Sequence, residues 1–279
     1  MNYFPTNKFS LPVNLIEANK NGAIPTGIDS GVVSTVEWTL PEKIVQKNHI
    51  MMLDILAHFD WKRPVYFAVT TGADAYIGLE QYFQLEGLTY RLVPVKTLNT
   101  PDGQTGRIQT DIMYNNLMNK FTWGNLNKPG VYLSEDNTRL CLSFRNLFGR
   151  LANALILENK KDSAMKVLDR CVEVMPDEFV PFNYFVLPIA EGYYKLSAKE
   201  KANKIVERLI TYSEQELKYY YSFSAAKGIN LEREKQQSLA VLQRVVQLTT
   251  TQNQDLLNKK ATSLFNTYYK MYGNEYGGK

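Results

Sequence analysis

Few residues in this 279-residue chain have the type and spacing for chemistry. The two histidines, His49 and His58, stand nine positions apart. Metal-binding pairs on a helix need i, i+3 or i+4 spacing. Asp54 and His58 do have i, i+4 spacing and read as a surface pair. A serine–histidine–acid triad would have to use one of these histidines, and no nucleophile-elbow sequence is present. Glu80 and Glu86 lie near Arg91, and paired carboxylates can do acid–base work on sugars. On one short helix, however, the two would point to different sides, as surface or ion-pair residues. Gly72 and Gly78 lack the spacing of a phosphate-cradling loop. There is no Asp-x-Asp motif for a metal-bound nucleotide sugar. Cys141 and Cys171 form neither a metal motif nor a disulfide framework and read as small buried thiols. The expectation is no catalytic residue, no metal site and no cofactor.

Binding offers more candidates. Thr71, Asp74 and Tyr76, with Lys96 nearby, fall where an open α/β sheet would have its crevice, beyond the strand C-termini. Tyrosine is abundant, with 18 residues. Tyr194, Tyr219 and Tyr220 sit in helical tyrosine clusters that could line a groove, because tyrosine gives amphipathic contact at low entropic cost.

The elements that must position these residues fall into two kinds. Val65–Thr70 (VYFAVT) is apolar nearly throughout and predicts a strand buried on both faces. Leu79, Tyr82, Phe83 and Leu85–Glu86 fit two turns of helix, which Gly87 would end. Thr89–Val95 predicts a second strand, with Pro94 at its end or at a sheet edge. Strand, helix and strand make a parallel βαβ unit. Thr35–Leu40 alternates as a strand. A helical stripe follows the opening at Pro41–Glu42 and runs through Ile50, Leu53, Ile55, Leu56 and Phe59. Asp111–Phe121 predicts an amphipathic helix, and Val131–Ser134 a short strand.

Beyond about residue 140, helical periodicity takes over. The expected fold is therefore an α/β part with a small sheet over 1–140, then an all-α helical-repeat part over 141–279, with the boundary at 137–145. Phe148, Leu151, Ala152, Leu155, Ala164, Leu168, Cys171 and Pro176 match the spacing of a tetratricopeptide-like helix pair. Val186, Ile189, Ala190, Tyr193, Ala202, Val206 and Leu209 make a second copy, with an insertion in Asp177–Asn183. Ser213–Ala226 and Leu231–Thr251 would form a third pair, and Asp255–Tyr272 a terminal cap.

Net charge is +4. No dense basic patch accompanies it, so no nucleic-acid partner is expected. No apolar run approaches the ~20 residues of a membrane span, and Met1–Lys20 lacks the apolar core of a signal peptide. Tyr3-Phe4-Pro5 follows Met1 as an extended segment, as a cut inside a longer protein would leave it. The tail Tyr276–Lys279 holds too little apolar surface to be anchored.

The block WKRPVYFAVTTGADAYIGLEQYFQLEGLTYRLVP, with TDIMYNNLMNKFTWGN and PFNYFVLPIAEGYYKL, resembles the C-terminal region of a bacterial family of multi-pass membrane proteins. That family is catalogued as a domain of unknown function and is similar to protein O-mannosyltransferase-like glycosyltransferases. The resemblance runs from about Phe4 to Tyr221. It implies a non-catalytic, periplasmic (extracytoplasmic) module whose glycosyl-transfer centre lies in a transmembrane portion absent from this sequence. Its partners would be that missing portion and a polypeptide acceptor or partner protein. The alternative is a small α/β enzyme or sugar-binding module using the crevice near Thr71–Asp74.

Overall fold

The computed structural model describes residues 6–25, 30–41, 45–223 and 230–276. The expectations for Tyr3–Pro5, Glu42, residues 224–226 and the last three residues lie outside these. The chain divides into two units, Met1–Phe121 and Thr122–Lys279.

The first unit holds two small sheets. β1 (Lys8–Pro12) and β2 (Thr35–Thr39) pair antiparallel, with Phe9 opposite Trp38 and Leu11 opposite Val36. The alternation of TVEWT buries Val36 and Trp38 on one face and leaves Glu37 and Thr39 in solvent. Between these strands, α1 (Leu15–Lys20) starts at Asn14, whose side chain accepts the Glu17 N–H at 3.2 Å. After β2 comes α2 (Lys47–Ala57), in which His49 and Leu56 are buried while Ile50 and Ile55 face out.

The second sheet has strand order β3 (Tyr66–Ala68), β5 (Thr89–Leu92), β4 (Phe83–Leu85), β6 (Arg107–Ile108). β5 is antiparallel to both its neighbours, and β4 is parallel to β6. The parallel βαβ unit is therefore corrected. Residues 79–86 make a 3₁₀ turn, Glu80–Tyr82, and then strand β4. Gly87 does not end a helix. It sits at φ 132° in the tight turn where Glu86 N–H donates to Thr89 C=O at 3.1 Å. Phe83 and Leu85 before Gly87, and Tyr90 and Leu92 after it, carry the period of two that an antiparallel hairpin needs. Phe83, Leu85 and Tyr82 are buried from both sides, so the same run also satisfies helical spacing. β3 is likewise corrected from a strand buried on both faces to an edge strand with Tyr66 46% exposed. α3 (Thr110–Asn115) runs into a π-helical turn, Asn116–Lys120, and buries Met113 and Leu117.

The second unit is helical: α4 (Glu135–Leu157), α5 (Lys161–Val174), α6 (Leu187–Lys195), α7 (Lys199–Phe223), α8 (Glu232–Thr251) and α9 (Asp255–Tyr276). The expected strand at Val131–Ser134 is absent, and Tyr132 there is 86% exposed. Ser134 instead caps α4 by accepting the Asn137 N–H. Every position that the two repeat spacings select, from Phe148 to Cys171 and from Val186 to Leu209, is buried.

Helices pack in succession as α4/α5, α6/α7, α7/α8 and α8/α9, and α4 also packs on α6. The three connections share one conformation. Asn159, Ser197 and Asn253 each adopt positive φ, at 59°, 62° and 52°. Each donates its N–H to the C=O three residues back, and the next residue donates five back, as in Lys160 to Leu155, Ala198 to Tyr193 and Gln254 to Thr249. This closes one helix with its last carbonyls satisfied and opens the next at once. The expected third pair does meet, Leu217 of α7 packing with Leu239 and Leu242 of α8, but its first helix is the C-terminal part of α7, and α9 packs on α8 in turn.

By length and composition alone, α4 is apolar enough to cross a membrane, and half of its apolar stretch is buried here. Arg145 and Arg150 of α4 are buried too, and the helix packs on α5 and α6. The Arg145 guanidinium donates to the carbonyls of Met175, Val180 and Pro181, which form the irregular segment between α5 and α6.

Candidate functional site

The residues singled out from the sequence fall in three places. Thr71 and Asp74 flank the turn after β3, and Asp74 is exposed. Tyr76, in the 3₁₀ turn Ala73–Tyr76, is 6% exposed and donates its hydroxyl to Thr71 C=O at 2.9 Å. Its ring meets Phe67, Phe83 and Tyr90 edge-on, and burial pushes its pKa up to about 12. That geometry makes Tyr76 a packing residue of the sheet. Lys96 is exposed, with its N–H on Gly31 C=O at 2.7 Å. Among the described residues the expected βαβ crevice is not formed at Thr71–Asp74, because β3 and β5 are antiparallel. Instead a cleft of about 260 Å³ lies between α2 and β3, lined by Met52, Ile55, Leu56, Val65–Ala68, Thr71 and Ala75.

In the helical unit, Tyr194 is buried and donates to Asn203 Oδ1 at 2.6 Å, and Asn203 donates on to Gln254 Oε1 at 3.0 Å. This ties α6 to α7 and to the residue preceding α9. Burial raises the Tyr194 pKa to about 12, with Glu207 adding to the effect. Tyr219 is 57% exposed near the end of α7, against Tyr220 and Phe223. Tyr220 is half-buried. Burial raises its pKa, with Glu216 and Glu234 adding to the shift. The structure does not bring Tyr194 together with the Tyr219–Tyr220 pair.

Two arrangements go beyond the sequence reading, which had only Glu86 near Arg91 as a surface or ion-pair residue. The first is a polar row across the second sheet. Tyr66 lies opposite Arg91, Arg91 opposite Gln84, and Gln84 opposite Arg107. Directly opposed residues share a sheet face, and Glu86, two residues on from Gln84, joins them. Gln84 donates to Glu86 Oε1 at 2.7 Å, Tyr66 to Glu86 Oε2 at 3.1 Å, and Arg91 stands 3.6 Å from the same carboxylate. Arg91 also donates to the Asn21 and Gly22 carbonyls at 2.8 and 3.3 Å, which fastens the end of α1 to the sheet. Arg107 donates to Gln84 Oε1. Gln84, Glu86 and Arg91 are all buried. A paired and hydrogen-bonded charge is the form in which a sheet face tolerates ionised groups. Burial lowers the Arg107 pKa. The row is built to hold segments together.

The second arrangement is a cleft of about 410 Å³ between α5, α6 and α7, floored by Val172, Phe182, Tyr193 and Ile205. Asp169 at its rim accepts from Tyr193 at 2.8 Å and pairs with Lys201 at 2.6 Å. Burial, and then Asp169, raise the Tyr193 pKa well above the usual phenol range. Arg208 pairs with Asp177 at 2.6 Å on the same side. The cleft thus combines an apolar floor with charges of both signs at its rim.

Cys141 and Cys171 are free, buried thiols, and burial takes Cys171 up to about 12. Among the described residues no three His, Cys, Asp or Glu side chains converge as metal ligands. Asp54 and His58 form the exposed i, i+4 pair, at 3.7 Å.

No curated protein and no solved structure matches the chain. The family model described as TMEM260-associated domain 2 matches residues 1–112, which takes in both small sheets and the polar row. Its name puts the match in a membrane-protein context. The N-terminal part of this chain is similar to TMEM260-associated domain 2.

Proposed function

We propose that this chain is a non-catalytic extracytoplasmic module of a membrane glycosyltransferase-like protein. It binds an acceptor polypeptide or partner protein, or braces the membrane part. The observation that carries this reading is the match of residues 1–112 to TMEM260-associated domain 2. Two features of the helical unit support the binding role. Its helices, joined at three places by the same turn, are consistent with tetratricopeptide-like repeats, an architecture that presents extended contact surfaces. Its cleft at Phe182, Tyr193 and Ile205 offers a polypeptide segment an apolar floor with a charged rim. The alternative, an α/β enzyme or sugar-binding site at Thr71–Asp74, rested on a parallel βαβ crevice and loses that support because β3 and β5 are antiparallel.

An antibody raised against this chain tests the reading in native cells. The expected result is a membrane-fraction polypeptide larger than 32.0 kDa. Protease applied from the extracytoplasmic side should degrade it. A 32.0 kDa band confined to the soluble fraction would overturn the proposal.

A further inference from the structure

β3 is an open edge. Leu92 N–H donates to Val65 C=O at 3.0 Å and Val69 N–H to Leu88 C=O at 3.1 Å. With Phe67 opposite Tyr90, residues 65, 67 and 69 turn their backbone groups toward β5. Tyr66 and Ala68 therefore direct N–H and C=O away from the sheet, and both residues are exposed. Ala68 C=O takes the Thr71 N–H at 3.0 Å and keeps a second lone pair.

We propose that this edge pairs with the same edge of a second copy of the chain, antiparallel and centred on Phe67. In that register Tyr66 of each copy faces Ala68 of the other, and the two exchange N–H and C=O bonds on both sides of the axis. Pro64 helps choose this register. A shift that put Pro64 opposite Ala68 would lose a donor. Charge is self-complementary in the same arrangement. Antiparallel pairing runs Arg63 of one copy beside the Thr71–Asp74 turn of the other. Arg63 and Asp74 are exposed and have no partner among the described residues, whereas the neighbouring Lys62 is held by Asp60 at 2.8 Å. The second copy also covers the mouth of the apolar cleft between α2 and β3, where Ile55 is 57% exposed. An open edge with unpaired backbone groups is a template for a further strand. The reading is independent of the function proposed above.

Sedimentation equilibrium of the whole chain over a concentration series should show a reversible monomer–dimer exchange. Ala68→Pro removes only the outward N–H and should weaken the dimer by about tenfold or more. Because that variant can disturb the strand, the exposed charges supply a second test. Arg63→Glu and Asp74→Lys should each weaken the dimer, and the double exchange should recover it, with unchanged circular dichroism throughout. A monomer at every concentration, a dimer indifferent to Ala68→Pro, or a double exchange no better than the single ones would overturn the proposal. So would a monomer that instead takes up an extended peptide at this edge.

Discussion

Arg145 offers the sharpest test of how the helical unit is held together. It is 0% exposed, and its guanidinium donates to Met175 C=O at 2.9 Å, to Pro181 C=O at 2.8 Å and to Val180 C=O. Met175 caps the C-terminus of α5, where the helix leaves carbonyls unsatisfied and a partial negative charge. The Phe182 ring lies 5.0 Å from the guanidinium carbon. Burial lowers the Arg145 pKa. Arg145→Met keeps much of the volume and removes every donor. The three carbonyls belong to the backbone and cannot be removed with it, and each unsatisfied buried acceptor costs about 1–3 kcal/mol. Relief of the buried cation returns part of that sum. The net loss should be about 2–4 kcal/mol, and Arg145→Lys, a point donor without the planar fork, should lose about half as much. Urea unfolding followed by helical circular dichroism measures both. Amide exchange over 176–183 should accelerate in Arg145→Met well before exchange in α8 and α9. A loss below about 0.5 kcal/mol, or no change in that segment's exchange, would refute the role given to these carbonyl contacts.

Three further outcomes are expected. Ser197 holds φ 62° just past α6, a conformation that costs any residue with a Cβ, so Ser197→Gly should stabilise by about 0.5–1 kcal/mol and raise the melting temperature by about 1–3 °C. Gly87→Ala should destabilise by about 1–3 kcal/mol in thermal melts, because φ is 132° and the added Cβ would stand 2.9 Å from the Phe121 ring. Tyr76, Tyr194 and Tyr221 all have pKa values raised to about 12 by burial, so the folded state keeps protons that the unfolded chain releases near 10. Their contribution should be intact below about pH 10 and lost between about pH 10 and 12. Unfolding monitored by tyrosinate absorbance checks this, and a folded chain in which every tyrosine ionises near 10 would contradict it.

The sequence by itself determined the helical unit to a useful depth. Ala152 and Ala164, Ala190 and Ala202, and the apolar residues around them recur at helical spacing because each must face a neighbouring helix, and all of them are buried. Pro176 was legible as a helix stop. The hairpin turns were harder to read, because Asn159, Ser197 and Asn253 do the work usually signalled by glycine. For the binding residues, local pattern gave only places. It put Tyr194 in a helical cluster, and the fold decided that its hydroxyl is spent on Asn203.

The sheet shows where local pattern runs out. Tyr82, Phe83 and Leu85 are buried on all sides, so their spacing satisfied a helix as well as a strand. The choice was made by Arg91 and Leu92, which pair with Gln84 and Phe83 across Gly87. In the chain Glu86 read as a surface or ion-pair residue near Arg91, and Gln84 and Arg107 carried no signal. Tertiary structure alone placed them in one row, buried but for the half-buried Arg107, and it alone left Tyr66 and Ala68 on an open edge. Helical periodicity records which side of a segment meets apolar surroundings. A strand's partner is set by backbone hydrogen bonds to a distant segment, and those leave no mark on the composition of either one.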